Sequence, residues 1–327
     1  MEDFFERIGI EESLDEISIL ICSECEIEGY TSSKIIEVGY EDFNFILETS
    51  KQKYFVKIFN KDRTEEDCKN YIDRIELSNS ININTPKLLK IGNIHIKGVT
   101  LKFIVQEYVS GKSFLDLKEI PGEAEIKEII RQMAIIHRTK LDSGLIYDMW
   151  TTTNFVKEFD SKYKYLDNKY YEKFKDLRDK LEKVDLNKLP HGFVHGDIIS
   201  SNVLKDDNGK LWIIDFAVSN YLPRIIDIVV TGCNLCQDIN SKENTVRNLR
   251  LIIDEYEKYN KLTEYEKEMI PLFYDLGNAM GILQINYIKQ NEEYSDEDKY
   301  WIELSEKGLE YFNQDLWKEV LNKNIQI

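Results

Sequence analysis

Residues 191–216 read HGFVHGDIISSNVLKDDNGKLWIIDF, and this stretch decides the fold more than any other part of the chain. Its middle, DDNG, is a strong turn signal between two apolar runs, so the sequence predicts a short hairpin. Asp197 and Asn202 precede the hairpin, and Asp215 follows its second strand. The hairpin therefore separates two oxygen-bearing side chains from a third at fixed intervals.

Asp197, Asn202 and Asp215 are the residue types that phosphoryl transfer from a magnesium nucleotide requires. One carboxylate must orient the attacking hydroxyl group, and an amide with a second carboxylate must hold the metal ions. Their oxygens are hard ligands that suit a hard cation such as Mg²⁺. We therefore expect Asp197 to be the catalytic residue and Asn202 and Asp215 to bind metal. Taken singly, Asp197 is equally an ordinary turn residue and Asn202 a loop cap, but the joint spacing favours catalysis.

The composition is that of a globular chain with a strong acidic balance. Of 327 residues, 42% are hydrophobic and 12% are aromatic, and the length suggests two domains or lobes. The formal net charge is −17 and no long basic block occurs, so nucleic acid is not expected as a partner. The acidic balance reflects a solvated surface or, more weakly, favours a cationic substrate.

Neither a signal peptide nor a membrane span is expected, because the chain starts with acidic residues and its longest apolar runs are short. We therefore expect a cytoplasmic protein without a membrane partner. Two C-x-x-C pairs, Cys22/Cys25 and Cys233/Cys236, could together bind zinc. Both pairs lie in apolar helical sequence, so buried small side chains in a reducing compartment explain them better.

Hydrophobic periodicity predicts a β-rich first part that ends near Gly111 and a mainly helical second part. The first part is expected to contain a helix over 1–25, strands over 33–38, 43–49 and 53–59, a helix over 64–78, and strands over 88–91 and 101–108. Around the hairpin, the second part is expected to contain helices over 123–139, 154–167, 170–184, 225–237, 241–260, 263–291 and 296–322.

The loop from His195 to Asn202 resembles the catalytic loop of aminoglycoside phosphotransferases and choline kinases. Gly196 stands where protein kinases carry arginine, and no A-P-E motif occurs downstream, which disfavours a protein kinase. The segment 214–216, IDF, resembles the metal-binding element of the same small-molecule kinases. The resemblance implies an α+β, two-lobe protein-kinase-like fold. Residues 1–108 would form a nucleotide-binding lobe with an antiparallel sheet, and residues 109–327 a helical lobe with the catalytic loop and substrate pocket.

Lys57, on the third predicted strand, resembles the strand lysine that contacts the α- and β-phosphates in this family. A solvated edge lysine is the alternative. The family's lysine pairs with an acid on the next helix, and Glu66, Asp73 and Glu76 compete for that role here. Asp73 fits the spacing to Pro86 best, so the resemblance implies a pair between Lys57 and Asp73.

The nucleotide loop between the first two strands holds one glycine rather than several. Gly39 and Asn44 match the glycine and asparagine that the family often carries there. The segment QEYVSG at 106–111 resembles the family's hinge, in which backbone groups at Glu107 and Val109 would bind the adenine edge. Because a loop with a single glycine does not indicate which nucleotide binds, the expected cofactor is either ATP or GTP, with Mg²⁺.

Three further residues are expected to be structural. His137 ends a helix that resembles a family element, and a hydrogen-bonded histidine explains it better than a catalytic one. His195 is expected to brace the catalytic loop. Asp227 follows the metal-binding element and is expected to cap or hydrogen-bond the backbone of that loop.

The resemblance implies transfer of a γ-phosphate to the hydroxyl group of a small molecule. The implied acceptors are an aminoglycoside-type antibiotic, choline, ethanolamine, homoserine or a sugar, and the acidic charge favours an amino-bearing one. The alternative is a non-catalytic kinase-like binding or structural protein, similar to spore-coat relatives, which the thin glycine loop favours. The oxygen ligands of the catalytic stretch and Lys57 argue against that alternative.

Overall fold

The structure is a computed structural model that describes residues 4–10, 12–36 and 42–321. The chain divides into two compact units. The first comprises Met1–Ser80 with Thr85–Gly111, and the second comprises Ile81–Asn84 with Lys112–Ile327. The first unit is β-rich and the second is mainly helical, which confirms the predicted α+β class.

The first unit is built on a five-stranded antiparallel sheet in the order β1–β2–β3–β5–β4. Its strands are β1 (Tyr30–Ile35), β2 (Phe43–Thr49), β3 (Lys53–Ile58), β4 (Leu88–Ile96) and β5 (Val99–Glu107). Lys57 on the central strand lies opposite Asn44 on one side and Ile104 on the other. The sheet therefore places Lys57 at its centre and not at an edge.

The two faces of this sheet differ because successive side chains of a strand alternate. Phe43, Phe45 and Leu47 of β2 are fully buried in a core shared with helix α1 (Leu14–Cys25). Asn44 and Lys57 point to the opposite face. Helix α2 (Glu65–Ser80) contributes to that face, where the ring of Tyr71 lies 5.0 Å from Lys57 Nζ.

The predicted helix over 1–25 is wrong in its first half. Phe4–Ile8 form a 3₁₀ turn, Gly9 follows with φ of 72°, and α1 begins only at Leu14. A left-handed glycine ends a helix, and Ser13 starts the next because its side chain accepts a hydrogen bond from Glu16 N–H. The strands predicted at 88–91 and 101–108 extend toward each other, because Lys97 and Gly98 form a tight two-residue turn with positive φ values.

The second unit holds most of the helices. They are α3 (Phe114–Leu117), α4 (Glu123–Ile136), α5 (Phe155–Lys162), α6 (Asn168–Leu181), α7 (Ile225–Asn234), α8 (Lys242–Tyr259), α9 (Glu264–Ile288), α10 (Asp296–Tyr311) and α11 (Gln314–Leu321). The single helix predicted over 296–322 is wrong because Phe312 adopts an extended conformation that separates α10 from α11. The predicted helix over 154–167 is shorter because it passes into a 3₁₀ turn, Tyr163–Tyr165.

Short strands surround the catalytic stretch. They are β6 (Gly111–Ser113), β7 (His191–Val194), β8 (Val203–Asp206), β9 (Leu211–Ile213) and β10 (Asn220–Pro223). β8 and β9 form the predicted hairpin, with Gly209 at φ of 77° in its turn. β7 pairs with β10, so the loop 195–202 runs between two small sheets that hold its ends.

Candidate active site

The loop that follows β7 is shaped by a glycine. Gly196 has φ of 86°, a left-handed conformation that glycine adopts without steric penalty. The chain turns sharply there, so that Asp197 follows directly after the bend. Asn202 closes the loop, with its backbone N–H donating to the Ile199 carbonyl at 3.0 Å. The loop therefore brings residues 197 and 202 back together before β8 begins.

The side chains of Asp197 and Asn202 contact each other. Asn202 Nδ2 donates to the Asp197 carboxylate at 2.7 Å and to the Asp197 backbone carbonyl at 3.1 Å. The amide nitrogen is thus committed to Asp197. Within the described part of the chain, the opposite end of the amide, Oδ1, receives a single long contact of 3.4 Å from the Ser201 hydroxyl. Its geometry suits a residue that orients one carboxylate and offers its oxygen to a cation.

Asp215 follows β9 in an uncommon backbone conformation. Its φ is 65°, and its exposed carboxylate accepts a hydrogen bond from Ala217 N–H at 3.2 Å. The strand before it is tied to the loop, because Ile214 N–H donates to the Asn202 carbonyl at 3.0 Å. Left-handed residues other than glycine are uncommon and concentrate at functional sites. The backbone thus joins Asn202 and Asp215 within one small framework.

Negative charge accumulates around Asp197. Burial, the charge of Asp215 and the charge of Asp148 together raise the pKa of Asp197 to about 7. Asp148 lies in the loop between α4 and a 3₁₀ turn at Thr152–Asn154, and burial also raises its pKa. Carboxylates that repel one another are a favourable place for cations. The oxygen set therefore fits Mg²⁺, which proteins commonly bind through one or two side chains plus substrate phosphates.

Asp227, in the first turn of α7, binds the backbone at the start of the loop 195–202. Its carboxylate is fully buried and accepts hydrogen bonds from His195 N–H at 2.8 Å, Gly196 N–H at 2.7 Å and His137 Nε2 at 2.9 Å. Burial alone would raise the pKa of Asp227, but these partners bring it below its usual value. The prediction that Asp227 hydrogen-bonds the loop backbone is confirmed.

His195 connects the two ends of the stretch. Its Nδ1 accepts from Asp197 N–H at 3.2 Å, so the other nitrogen, Nε2, carries the proton and donates to the Ile214 carbonyl at 3.1 Å. Burial lowers the pKa of His195, which keeps the ring neutral. His195 therefore braces the residues on either side of the hairpin, as predicted.

In the first unit, Lys57 is paired with a residue other than the predicted one. Lys57 Nζ lies 3.3 Å from Asp42 Oδ2, and both side chains are buried. Asp73 instead forms its ion pair with Lys69, 2.9 Å away and one turn earlier on α2. The predicted pair between Lys57 and Asp73 is corrected on this basis, because Asp73 lies on a solvent-facing side of the helix where its nearest cation is the residue at i−4.

The remaining predicted nucleotide residues that the structure describes lie in or beside the sheet. Gly39 lies outside the described residues. Asn44 Oδ1 is buried and has no hydrogen-bond partner in the described part of the chain. Glu107 ends β5, with its N–H bonded to the Lys87 carbonyl at 2.9 Å. Val109, two residues on and partly buried, makes no backbone hydrogen bond within the described ranges.

Sequence reasoning does not identify Asp42 or Asp148. The period of two in β2 offers a signal for the first, since Phe43 and Phe45 face the core and residues 42 and 44 must then face Lys57. Asp148 lies in an irregular loop, where neither periodicity nor spacing indicates a contact with another segment.

Other predicted features are resolved by burial. The five cysteines are all buried free thiols, and no cluster of three His, Cys, Asp or Glu side chains suited to a metal occurs within residues 4–10, 12–36 and 42–321. The zinc interpretation has no support there. Among the helices in those ranges, none has the length and apolar character needed to cross a membrane.

Residues 32–260 match the phosphotransferase enzyme family, which is well over half of the chain. The chain belongs to the phosphotransferase enzyme family. As a member of it, the protein is an enzyme, a small-molecule kinase that uses a hydroxyl group as acceptor. A comparison of the phosphotransferase sequence with curated proteins finds no match.

Solved structures resemble this phosphotransferase over nearly its whole length. An amicoumacin kinase in complex with AMP-PNP and Ca²⁺ has a TM-score of 0.69 at 15% identity, covering 95% of this chain and 96% of that one. A choline kinase from Streptococcus pneumoniae has 0.61 at 17%, covering 91% and 99%. An ethanolamine kinase from Plasmodium vivax has 0.57 at 17%, covering 94% and 92%. At these identities the likeness establishes the fold, which is the predicted protein-kinase-like one.

Proposed function

We propose that this phosphotransferase moves the γ-phosphate of a Mg-nucleotide to a hydroxyl group of a small amino-bearing molecule. One observation carries the proposal: Asn202 Nδ2 binds the Asp197 carboxylate and its Oδ1 is placed to bind a cation, while its backbone carbonyl accepts a hydrogen bond from Ile214, the residue before Asp215. Such a group can align a hydroxyl and hold a metal at once.

Asp197 is the residue assigned to the acceptor. Its carboxylate would accept a hydrogen bond from the attacking hydroxyl and fix the direction of the oxygen lone pair. The raised pKa of Asp197, about 7, makes the carboxylate a better proton acceptor than an ordinary aspartate. Since phosphoryl transfer passes through a loose transition state, orientation of the hydroxyl is the larger part of this contribution.

Asn202 Oδ1 and the Asp215 carboxylate are assigned to the metal. A bound Mg²⁺ would supply neutralisation of the charge on the phosphate oxygens. The two side chains come from opposite ends of the hairpin, so the hydrogen bond between Ile214 and Asn202 keeps them in a fixed relation. Asp215, with φ of 65°, is an exposed residue, so its carboxylate is accessible to a ligand.

In the first unit, Lys57 is assigned to the nucleotide phosphates and the backbone of Glu107 and Val109 to the base. The N–H of Val109 has no backbone partner within the described ranges and so is available for the second assignment. Asn44, opposite Lys57 and with an unsatisfied buried oxygen, supports a polar ligand on this face of the sheet. Structural neighbours have been solved with AMP-PNP and with GDP, so ATP and GTP are both candidates.

An amino-bearing acceptor is favoured by Asp148. Its charge acts on Asp197, and its carboxylate accepts hydrogen bonds from Trp150 N–H at 3.1 Å and the Thr151 hydroxyl at 2.7 Å. The ring of Trp150, next to it, is exposed and suited to a cation. Solved neighbours include kinases of aminopropanol, choline and ethanolamine. The five free cysteines and the need for a nucleotide support a cytoplasmic location.

The test compares acceptors in matched pairs that differ by the amine, such as aminopropanol against propanediol and ethanolamine against ethylene glycol, with choline, homoserine and an aminoglycoside added. Phosphate-ester products are followed by ³¹P NMR with Mg-ATP or Mg-GTP, and Asp197→Asn serves as the blank. Products from the amine member of a pair alone support the proposal. Equal turnover of both members contradicts the amine preference, whereas no product and no thermal shift with either nucleotide supports the non-catalytic alternative.

A further inference from the structure

Lys57 contacts an acid, Asp42, that lies directly before β2 and not on α2. Asp42 Oδ2 accepts a hydrogen bond from Lys57 Nζ at 3.3 Å. Arg63 donates to the same carboxylate, from Nε at 2.7 Å and from a terminal nitrogen at 3.0 Å, and Asn60 N–H donates at 3.0 Å. The Asp42 carboxylate therefore accepts hydrogen bonds from a lysine, an arginine and a backbone amide.

The side chains at the centre of this cluster are shielded from solvent. The side chains of Lys57 and Asp42 are 7% and 0% exposed. Burial alone would raise the pKa of Asp42, but the charges of Lys57 and Arg63 outweigh it and hold the pKa below its usual value. Charge-assisted hydrogen bonds in such surroundings are strong and geometrically strict, and a buried charge without its partner is very unfavourable. Asp42 therefore restrains the position of the Lys57 ammonium.

Helix α2 provides no comparable partner. The residue that faces Lys57 from this helix is Tyr71, whose ring centroid lies 5.0 Å from Nζ. All of the acids on α2 are exposed or only partly buried, and those with ion-pair or hydrogen-bond partners bind other residues; they are Glu65, Glu66, Asp67, Asp73 and Glu76. In the family, an acid on this helix pairs with the strand lysine. Here, among the described residues, no acid of α2 does so, and Asp42, directly before β2, pairs with Lys57 instead.

We infer that Asp42 is a positioning residue for the nucleotide phosphates, which acts by holding Lys57 Nζ in place with Arg63 beside it as a second cation. The inference rests on the proposed function, in which Lys57 binds phosphate. Lys57 and Arg63 both contact the Asp42 carboxylate, so two cations lie next to each other on this face of the sheet. Asp42 acts through Lys57 and needs no contact of its own with the nucleotide.

Asp42→Asn keeps the size of the side chain and removes its charge. Binding of Mg-AMP-PNP and of adenosine is measured by calorimetry for the wild type, Asp42→Asn and the matched surface variant Asp73→Asn; Mg-GMP-PNP and guanosine replace them if the protein prefers guanine. The affinity of Asp42→Asn for the triphosphate analogue should fall by about tenfold or more, while its affinity for the nucleoside stays unchanged. Asp73→Asn should match the wild type with both ligands.

An equal loss for both ligands, no loss for either, or the same selective loss in Asp73→Asn overturns the inference. If circular dichroism shows that Asp42→Asn is unfolded, Asp42→Glu replaces it, because this variant keeps the charge and displaces it by one methylene. Asp42→Glu should lose triphosphate affinity by about threefold or more with nucleoside affinity intact, and wild-type affinity in it overturns the inference. If the wild type binds no Mg-nucleotide at all, the proposed function fails, and the role of Asp42 fails with it.

Discussion

Asn202 donates hydrogen bonds to both the carboxylate and the backbone carbonyl of Asp197, at 2.7 and 3.1 Å. The two residues therefore act as one unit, in which an amide orients the proposed catalytic carboxylate with its nitrogen and faces the proposed metal with its oxygen. The loop 195–202 that carries both residues bends at Gly196, continues from β7 and leads into β8, and is held at its start by Asp227, which accepts hydrogen bonds from His195 N–H and Gly196 N–H.

Replacement of Asn202 should affect metal dependence and turnover together. Asn202→Ala removes the amide oxygen and the hydrogen bonds to Asp197, so the Mg²⁺ concentration for half-maximal activity should rise by about tenfold or more and kcat should fall. Initial rates over a Mg²⁺ titration measure both. Ser201→Ala is the control, since its long contact of 3.4 Å to Asn202 contributes little. An unchanged Mg²⁺ dependence in Asn202→Ala would remove this residue from the metal site.

Asp227 should be important for stability. Asp227→Asn replaces a buried carboxylate that accepts hydrogen bonds from His137, His195 and Gly196. An amide has one acceptor oxygen instead of two, and its NH₂ group would face one of these N–H donors. The free energy of unfolding should therefore fall by about 2–4 kcal/mol. Urea unfolding measures the change. Asp179 has a half-exposed side chain, so Asp179→Asn should shift stability by less than about 0.5 kcal/mol, and an equal loss in both variants would contradict the role of Asp227.

The left-handed conformation of Gly196 predicts a second, local effect. Gly196→Ala places a Cβ on a residue with φ of 86°, which should lower stability by about 1–2 kcal/mol and distort the bend before Asp197. Thermal unfolding of Gly196→Ala and of the wild type measures the difference, and equal melting temperatures would show that a side chain at position 196 causes no strain.

The pKa of Asp197 predicts how stability depends on pH. The folded-state pKa, about 7, lies above the ordinary value of 3.8, so the protonated carboxyl favours the folded chain and this contribution is lost as pH rises. Asp197→Asn cannot ionise, so it does not lose this contribution. The difference in free energy of unfolding between Asp197→Asn and the wild type should therefore show no pH-dependent gain below about pH 4. This gain should increase up to about pH 7 and then stay constant, at no more than about 4 kcal/mol. Urea unfolding in EDTA across this range measures it, and a gain independent of pH would contradict the raised pKa.

The sequence predicts those parts of the site that depend on local spacing. The loop from His195 to Asn202, the hairpin and the position of Asp215 are set by turn chemistry within a few residues, and Asp227 follows from the same pattern. The partner of Lys57 is set by which face of α2 meets the sheet, and the helix presents Tyr71 there while Asp73 faces solvent. That choice is a tertiary one that spacing along the chain does not encode.

The same distinction explains the errors in secondary structure. Apolar periodicity continues across Gly9 and across Phe312, so a helix pattern extends through both positions. The backbone ends the helices there because of a left-handed glycine in the first case and an extended residue in the second. Asp148 likewise could not be found from local sequence, because it lies in an irregular loop between two helices and raises the pKa of Asp197 across a tertiary contact.

Asp197 is the residue on which the proposed phosphoryl transfer depends most directly. The decisive measurement is the single-turnover rate of acceptor phosphorylation by the wild type and by Asp197→Asn, with the affinity for Mg-nucleotide determined in parallel. The rate should fall by about a hundredfold or more, as expected when a positioned acid–base group is removed, while the nucleotide dissociation constant stays within about threefold of the wild-type value. Phosphorylation by Asp197→Asn at close to the wild-type rate, with nucleotide binding intact, would contradict the account.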